Sequence, residues 1–242
     1  MGVRHLNSFL LNRCARGIYP ITFHYLRNKT VVVDCSIFMY RFKRSGNLLS
    51  RMEKMIQTLA VNKIRSIFVF DGKPPAMKKA EIQRRIQRST VRVGAEDVAQ
   101  VKALLSRYCV RYIVAPSEAE EVCAKMVRQK DAFACFSDDT DLFVHGCDRV
   151  VRNIDFEKEK MTMYDLGTIL RHLDMPLTDF KHLCVASGTD YYKPEGKTLY
   201  NYASLYHTYR GDETSGSFLE WLVLHNHIDD ASRVEEACSQ FQ

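Results

Sequence analysis

No apolar run in the sequence approaches the ~20 residues that a bilayer span requires, and the opening Met1-Gly2-Val3-Arg4-His5-Leu6 carries no hydrophobic leader core. These absences exclude a helical span and a secretory signal. A soluble protein is expected, inside the cell, nuclear or cytoplasmic, with no membrane partner. The sixth position is Leu6, where N-myristoylation asks for Ser or Thr. None of the eight cysteines, at 14, 35, 109, 123, 135, 147, 184 and 238, belongs to a C-x-x-C pair, so zinc-ribbon and thioredoxin spacings are missing. Cys35, Cys135 and Cys184 sit inside apolar runs and read as reduced, buried thiols. No internal repeat or low-complexity tract is present. Nor is there a large charge excess: 35 Lys and Arg against 29 Asp and Glu leave +6. A polyanion contact must therefore come from a local cluster.

What is present is a series of buried-strand patterns that end in acids. Thr30-Val31-Val32-Val33-Asp34 is a β-branched run closed by Asp34, and Ser66 to Phe70 repeats the pattern before Asp71-Gly72-Lys73-Pro74-Pro75. Val110 to Val114 is a third strand, and Ala132 to Phe136 a fourth, followed at once by Ser137-Asp138-Asp139-Thr140-Asp141. Arg149 to Ile154 and Lys160 to Tyr164 read as a β-pair. Between them lie helical periods at Leu6 to Arg13, Ser36 to Phe42, Leu48 to Val61, Ala95 to Tyr108 and Thr178 to Ser187. Ser117 is the expected N-cap of a helix running to about Gln129, with Glu120 closing a capping box. At 242 residues and 46% hydrophobic content, the alternation predicts an α/β fold: a mostly parallel central sheet flanked by helices. The expected organisation is a core over 1–192 and a helical C-terminal extension over 193–242.

Parallel topology brings strand ends to one rim, where ligands bind in open α/β sheets. Asp34, Asp71, Glu118, Glu120, Asp139, Asp141 and Asp190 each follow a strand or terminate a helix. Taken singly, each is accounted for as a cap or a solvated surface acid. Jointly, seven acids at one rim repel, and divalent cations make such a cluster tolerable. Oxygen ligands without paired His or Cys select Mg²⁺, with Mn²⁺ as substitute, over zinc. The chemistry that follows is two-metal phosphodiester hydrolysis, with ions ~4 Å apart. His225 and His227 read as local packing, since no third ligand stands near them.

Six motifs in order carry a resemblance. They are Met1-Gly2-Val3 with Leu6, Val33-Asp34 with Ser36 and Tyr40, Phe70-Asp71-Gly72-Lys73-Pro74-Pro75, Ala115-Pro116-Ser117-Glu118-Ala119-Glu120, Ser137-Asp138-Asp139-Thr140-Asp141 and Gly188-Thr189-Asp190-Tyr191. In these the chain resembles flap endonucleases and related XPG-type structure-specific 5′ nucleases, whose core is PIN-like. The resemblance implies two Mg²⁺ ions held by Asp34, Asp71, Glu118, Glu120, Asp139, Asp141 and Asp190, with Asp138 as a non-ligand acid. It implies that Gly2 lies near the site and that Tyr40 stacks on a nucleobase, where the residues alone leave Tyr40 as a core side chain.

The segment from Lys73 to Arg92 holds Lys73, Lys78, Lys79, Arg84, Arg85, Arg88 and Arg92 against one acid, Glu81. That composition is a phosphate-binding surface or, blandly, a solvated helix face. By resemblance it belongs to a helical arch over 76–108, with Lys78 and Arg85 contacting the scissile phosphate. The implied substrate is branched or flapped DNA, handled in replication, repair or recombination by a monomer.

Departures from the family pattern qualify this. Only 47 positions separate Asp71 from Glu118, so the arch is shortened. The stretch Lys193-Pro194-Glu195-Gly196-Lys197-Thr198 is a remnant of the duplex-gripping hairpin, and no sliding-clamp motif is seen. Such a compact form resembles large-DNA-virus members of the family. An RNA-cleaving relative that degrades messenger RNA is the alternative within the fold. A haloacid-dehalogenase-type phosphatase, suggested by Asp139-Thr140-Asp141 but failing at Phe143, and an inactive binding scaffold are the alternatives outside it.

Overall fold

The computed structural model describes residues 2–73, 91–193, 196–212 and 216–241. Its centre is a seven-stranded sheet of order β1-β7-β6-β5-β2-β3-β4, formed by β1 (Ile18–Ile21), β2 (Thr30–Asp34), β3 (Arg65–Phe70), β4 (Arg111–Val114), β5 (Ala134–Phe136), β6 (Arg149–Asp155) and β7 (Lys160–Asp165). The run β6-β5-β2-β3-β4 is parallel, and β7 joins β6 antiparallel. The chain lays β3 and β4 to one side of β2 and β5 and β6 to the other. The switch point therefore falls between β2 and β5, the place where such sheets open a crevice at their carboxyl ends.

Alternation along the strands gives the sheet two apolar faces. Val32, Val69, Cys135 and Val150 point into one cluster, and Val31, Val33, Phe68, Phe136 and Val151 into the other. The second face is covered by α2 (Cys35–Arg44), α3 (Leu48–Val61) and α4 (Ala95–Arg107). The first is covered by α1 (Leu6–Arg13), α5 (Ala119–Arg128), α6 (Asp141–Val144), α7 (Leu166–Leu173), α8 (Leu177–Ala186), α9 (Leu199–Arg210), α10 (Phe218–Leu224) and α11 (Ala231–Ser239). Tyr202, Tyr206, Phe218, Trp221 and Phe241 share this cluster with Leu6, Phe143 and Tyr164, so residues beyond 193 pack into the core itself. Full burial of each such side chain is worth about 1.5–3 kcal/mol. All eight cysteines are free thiols, and six of them are buried.

Strands β2 to β7, helices α1 and α3 and the mostly parallel order match the sequence-based expectations closely. The sequence did not mark β1, whose four residues include Pro20; it lies at the sheet edge, where a missing N–H is tolerated. A second correction concerns α5. Its N-cap is Glu118 rather than Ser117, with no side-chain cap of its own. The first amide is satisfied across the sheet instead, because Ala119 N–H donates to Asp71 Oδ1 at 2.8 Å. The basic stretch 76–90 lies outside the described residues; residues 91–94 are non-helical and lead into α4.

The amino ends of the parallel strands form the opposite rim. Lys29 rests over the rings of Tyr25 and Phe133 at 4.1 and 3.8 Å, and Arg149 over Phe133 at 4.6 Å.

Candidate active site

The carboxyl ends of β2, β3 and β5 deliver acids to one rim. Asp34, the last residue of β2, is 3% exposed and accepts from Ser137 Oγ at 2.9 Å, a bond that crosses the switch point from the end of β5. Ser137 Oγ accepts in turn from Asp139 N–H at 3.1 Å, and Asp139 Oδ1 accepts from Asp141 N–H at 3.1 Å. The loop after β5 is thus folded on its own side chains, with Asp139 5% and Asp141 1% exposed. Asp71, one residue past β3, accepts from Ser36 Oγ at the start of α2 and from Ala119 N–H. Gly72 N–H donates to Ser117 carbonyl at 2.7 Å. A Cβ at Gly72 would overlap the Ala115 carbonyl oxygen, so only glycine lets the strand β3 exit pass this close to the approach to Glu118.

The electrostatic consequence is concentrated on Asp34. Burial, then the neighbouring charge of Asp71 and that of Asp139, push its carboxyl up to about 8, against the lowering effect of the Ser137 hydrogen bond. Asp34 at the end of β2 therefore feels the acids at the ends of β3 and β5. Glu118 is held by the Tyr191 hydroxyl at 2.7 Å. Asp190 lies in the loop after α8, which is tied to the N-terminal segment by Arg4 N–H to Gly188 carbonyl at 3.4 Å. Glu120 stands in the first turn of α5.

Among the described residues, no three of these side chains already enclose a common point as ligands around an ion; the carboxylates are engaged by hydroxyl and amide donors instead. The donor set is all-oxygen, and a buried carboxyl raised by like charges is one that a cation would return to its charged form. The residues fit a divalent ion of the hard, oxygen-seeking kind.

Asp138 is engaged by neighbours on α2 and β6. Its carboxylate pairs with Arg41 and accepts from Asn153 N–H at 3.0 Å. Gly2, at φ +89°, abuts Asp139 and Thr140 so closely that a Cβ would collide with both side chains. Tyr40 is 45% exposed on α2, which removes the alternative of a core tyrosine. Lys73 and Arg92 are exposed at the two described ends of the basic segment. Lys78, Lys79, Arg84, Arg85 and Arg88 lie outside the described residues. His225 stacks on Trp221 with centroids 4.2 Å apart, the local packing expected of it.

Sequence reasoning named Ser36, Ser137 and Tyr191 only as parts of motifs and gave them no role. Their adjacency to Asp34, Asp138 and Asp190 was the available signal. Arg152 was missed altogether: it is 8% exposed within β6, donates to Asn7 Oδ1 at 2.6 Å and to the Asp138 carbonyl at 2.7 Å, and so steadies the acidic loop from beneath.

The XPG N-terminal domain matches residues 1–92 and the XPG I-region residues 109–190. Flap endonuclease 1 of Trypanosoma cruzi is 27% identical over 238 residues, covering 79% of this chain and 61% of the relative. Flap endonuclease 1-A of Laccaria bicolor is 26% identical, covering 80% and 60%. The chain thus spans about three fifths of the length of these curated relatives.

Among solved structures, the catalytic core of Rad2 in complex with DNA substrate matches with a TM-score of 0.76 at 25% identity, over 100% of this chain and 86% of that one. Flap endonuclease-1 from Methanococcus jannaschii shares the fold, with a TM-score of 0.65 at 22% identity over 93% and 95%. So does human GEN1 in complex with Holliday junction DNA, with 0.70 at 18% over 99% and 63%. Both XPG regions are matched in order, and they contain every acid that builds the rim: the chain belongs to the XPG-type flap endonuclease family.

Proposed function

We propose that this protein is a divalent-metal-dependent, structure-specific 5′ nuclease that hydrolyses phosphodiester bonds in branched or flapped DNA. The observation that carries the reading is the convergence of Asp34, Asp71 and Asp139 from three adjacent strand ends, where burial first, and then the charges of Asp71 and Asp139, push Asp34 up to about 8. Asp34, Asp71, Glu118, Glu120, Asp139, Asp141 and Asp190 would hold the ions, Mg²⁺ with Mn²⁺ as substitute. When bound, divalent ions at such a site supply an activated water and charge stabilisation on the leaving oxygen.

The chain's own residues do the rest. Ser137 and Ser36 hold Asp34 and Asp71 in place by hydrogen bonds. Arg152 fixes the backbone that presents Asp139 and Asp141. Tyr40, exposed on the helix that begins at the site, would offer a ring to an unpaired base, and Gly2, where a Cβ would not fit, keeps the N-terminal segment packed against Asp139 and Thr140. Lys78 and Arg85 would stabilise charge on the phosphate, with Lys73, Lys79, Arg84, Arg88 and Arg92 gripping the backbone, a role that rests on the family resemblance. DNA is favoured over RNA because Rad2 and GEN1 are solved with DNA.

The test is cleavage of a labelled 5′-flap DNA beside a flap of the same sequence made of RNA, with Mg²⁺ or EDTA and Asp139→Ala as blank. Metal-dependent cutting at the DNA junction supports the reading. Cutting confined to RNA transfers the activity to transcript degradation, and no cutting of either removes it.

A further inference from the structure

Glu118 and Tyr191 meet across 73 positions of sequence, the Tyr191 hydroxyl donating to Glu118 Oε2 at 2.7 Å. Two features fix the tyrosine before it reaches the acid. Its backbone is part of a loop folded on Thr189, whose Oγ1 accepts from Tyr191 N–H and Tyr192 N–H, both at 3.2 Å, while Thr189 N–H donates to the Tyr192 carbonyl at 2.9 Å. Its ring stands edge-on to Phe241, with centroids 5.3 Å apart at 89°. Phe241 is itself immobilised: it is 1% exposed, its ring meets that of His145 at 5.1 Å, and its carbonyl accepts from Lys181 Nζ at 2.8 Å. His145 N–H donates to the Asp141 carbonyl at 2.9 Å, closing the short helix α6, so Phe241 packs against the end of that helix.

Glu118 has a reason to need such a holder. It is the N-cap residue of α5, yet its side chain makes no cap bond to the helix. A glutamate side chain has several rotamers, and presenting its carboxylate in one of them costs conformational entropy. A phenol bound to one carboxylate oxygen offsets that cost without adding charge.

We propose that Tyr191 is a positioning residue for Glu118, and that Phe241, far along the chain from the motifs, is the wedge that sets it. The inference rests on the proposed role of Glu118 as a metal ligand. Partners that orient a ligand in this way are typically worth 10- to 100-fold in metal affinity or activity.

The experiment compares the full chain with Tyr191→Phe, which keeps the ring on Phe241 and removes the hydroxyl. Mg²⁺ is titrated against thermal stability without DNA, and against the rate of flap cleavage. The expected result is a half-saturating Mg²⁺ concentration raised roughly tenfold in both assays, with kcat at saturating Mg²⁺ within about twofold and melting in EDTA shifted by no more than a few degrees. Phe241→Leu should raise the Mg²⁺ requirement in the same direction by less. A wild-type Mg²⁺ response in Tyr191→Phe overturns the positioning role, and one in Phe241→Leu overturns the wedge.

Glu118→Gln separates the two levels. If it raises the Mg²⁺ requirement while Tyr191→Phe does not, positioning alone fails; if it leaves the requirement unchanged, the ligand role of Glu118 fails and the positioning role with it. Tyr191→Phe added to Glu118→Gln should change nothing further, and an additive loss would also count against the proposal.

Discussion

The two rims of the central sheet treat charge in opposite ways. At the carboxyl rim, Asp34, Asp139 and Asp141 are 3, 5 and 1% exposed, with like charge beside like charge. At the amino rim cations stay near water: Arg65 is exposed and touches Thr30 Oγ1 at 3.1 Å, while Lys29 and Arg149 lie on aromatic faces and Arg149 also pairs with Asp165. Burying mutually repelling acids is costly, and nothing about folding requires it. Resting a solvated cation on a ring costs little and contributes about 0.5–1 kcal/mol. The difference teaches where a counter-charge would gain most: among the described residues, at the carboxyl rim, as the proposed function requires.

Asp139→Ala is the strongest way to break the contrast. It should lower flap cleavage roughly 10³-fold or more, since a metal site supplies several kcal/mol of transition-state stabilisation. Circular dichroism should show the fold retained, because the change removes a repelling charge. An unfolded variant would mean that Asp139 belongs to the scaffold. Asp141→Ala should behave alike. Arg85→Ala comes next, with cleavage slowed about a hundredfold and Mg²⁺ requirement unchanged; a wild-type rate would reduce the basic segment to a solvated face.

The pH dependence of stability sharpens the comparison further. Asp34 has an ordinary carboxyl pKa of 3.8 when unfolded and about 8 when folded. Between those values the native state holds a proton that the unfolded chain has released. Stability from this group is thus fully present below about pH 4 and is lost as pH rises toward 8. In EDTA, melting of the wild type should fall relative to Asp34→Asn across pH 4–8, and Mg²⁺ at pH 8 should narrow the gap. Parallel pH profiles for the two proteins would refute the buried-acid account. The smallest effect is expected at the other rim, where Lys29→Ala should cost under about 1 kcal/mol and change cleavage less than twofold. A larger loss of cleavage would erase the distinction between the rims.

Much of this was legible in the sequence because the carboxyl rim is written locally. A β-branched run that ends in Asp, as in Val31-Val32-Val33-Asp34, states both the strand and the place of its acid. What was not legible lies in contacts between distant segments. The cap of α5 comes from Asp71, 48 positions before Ala119, so the local signal at Ser117 pointed one residue early. The Tyr191 bond to Glu118 joins two loops that no periodicity relates. Strand β1 was hidden by its length and by Pro20, and its place follows only from the exposed edge of β7 that it pairs.

The cysteines carry a last consequence. Cys123, Cys135 and Cys147 lie in the apolar layer on one face of the sheet, their thiols pushed up above all by burial. A thiolate is the reactive form, so an alkylating reagent in native buffer meets none of these sulfurs until the core opens. Cys109, exposed, reacts at once and sets the zero of the measurement. The protein therefore contains its own clock: the slow phase of labelling reads how often the core that holds the six buried thiols, that layer among them, comes apart, with no residue changed.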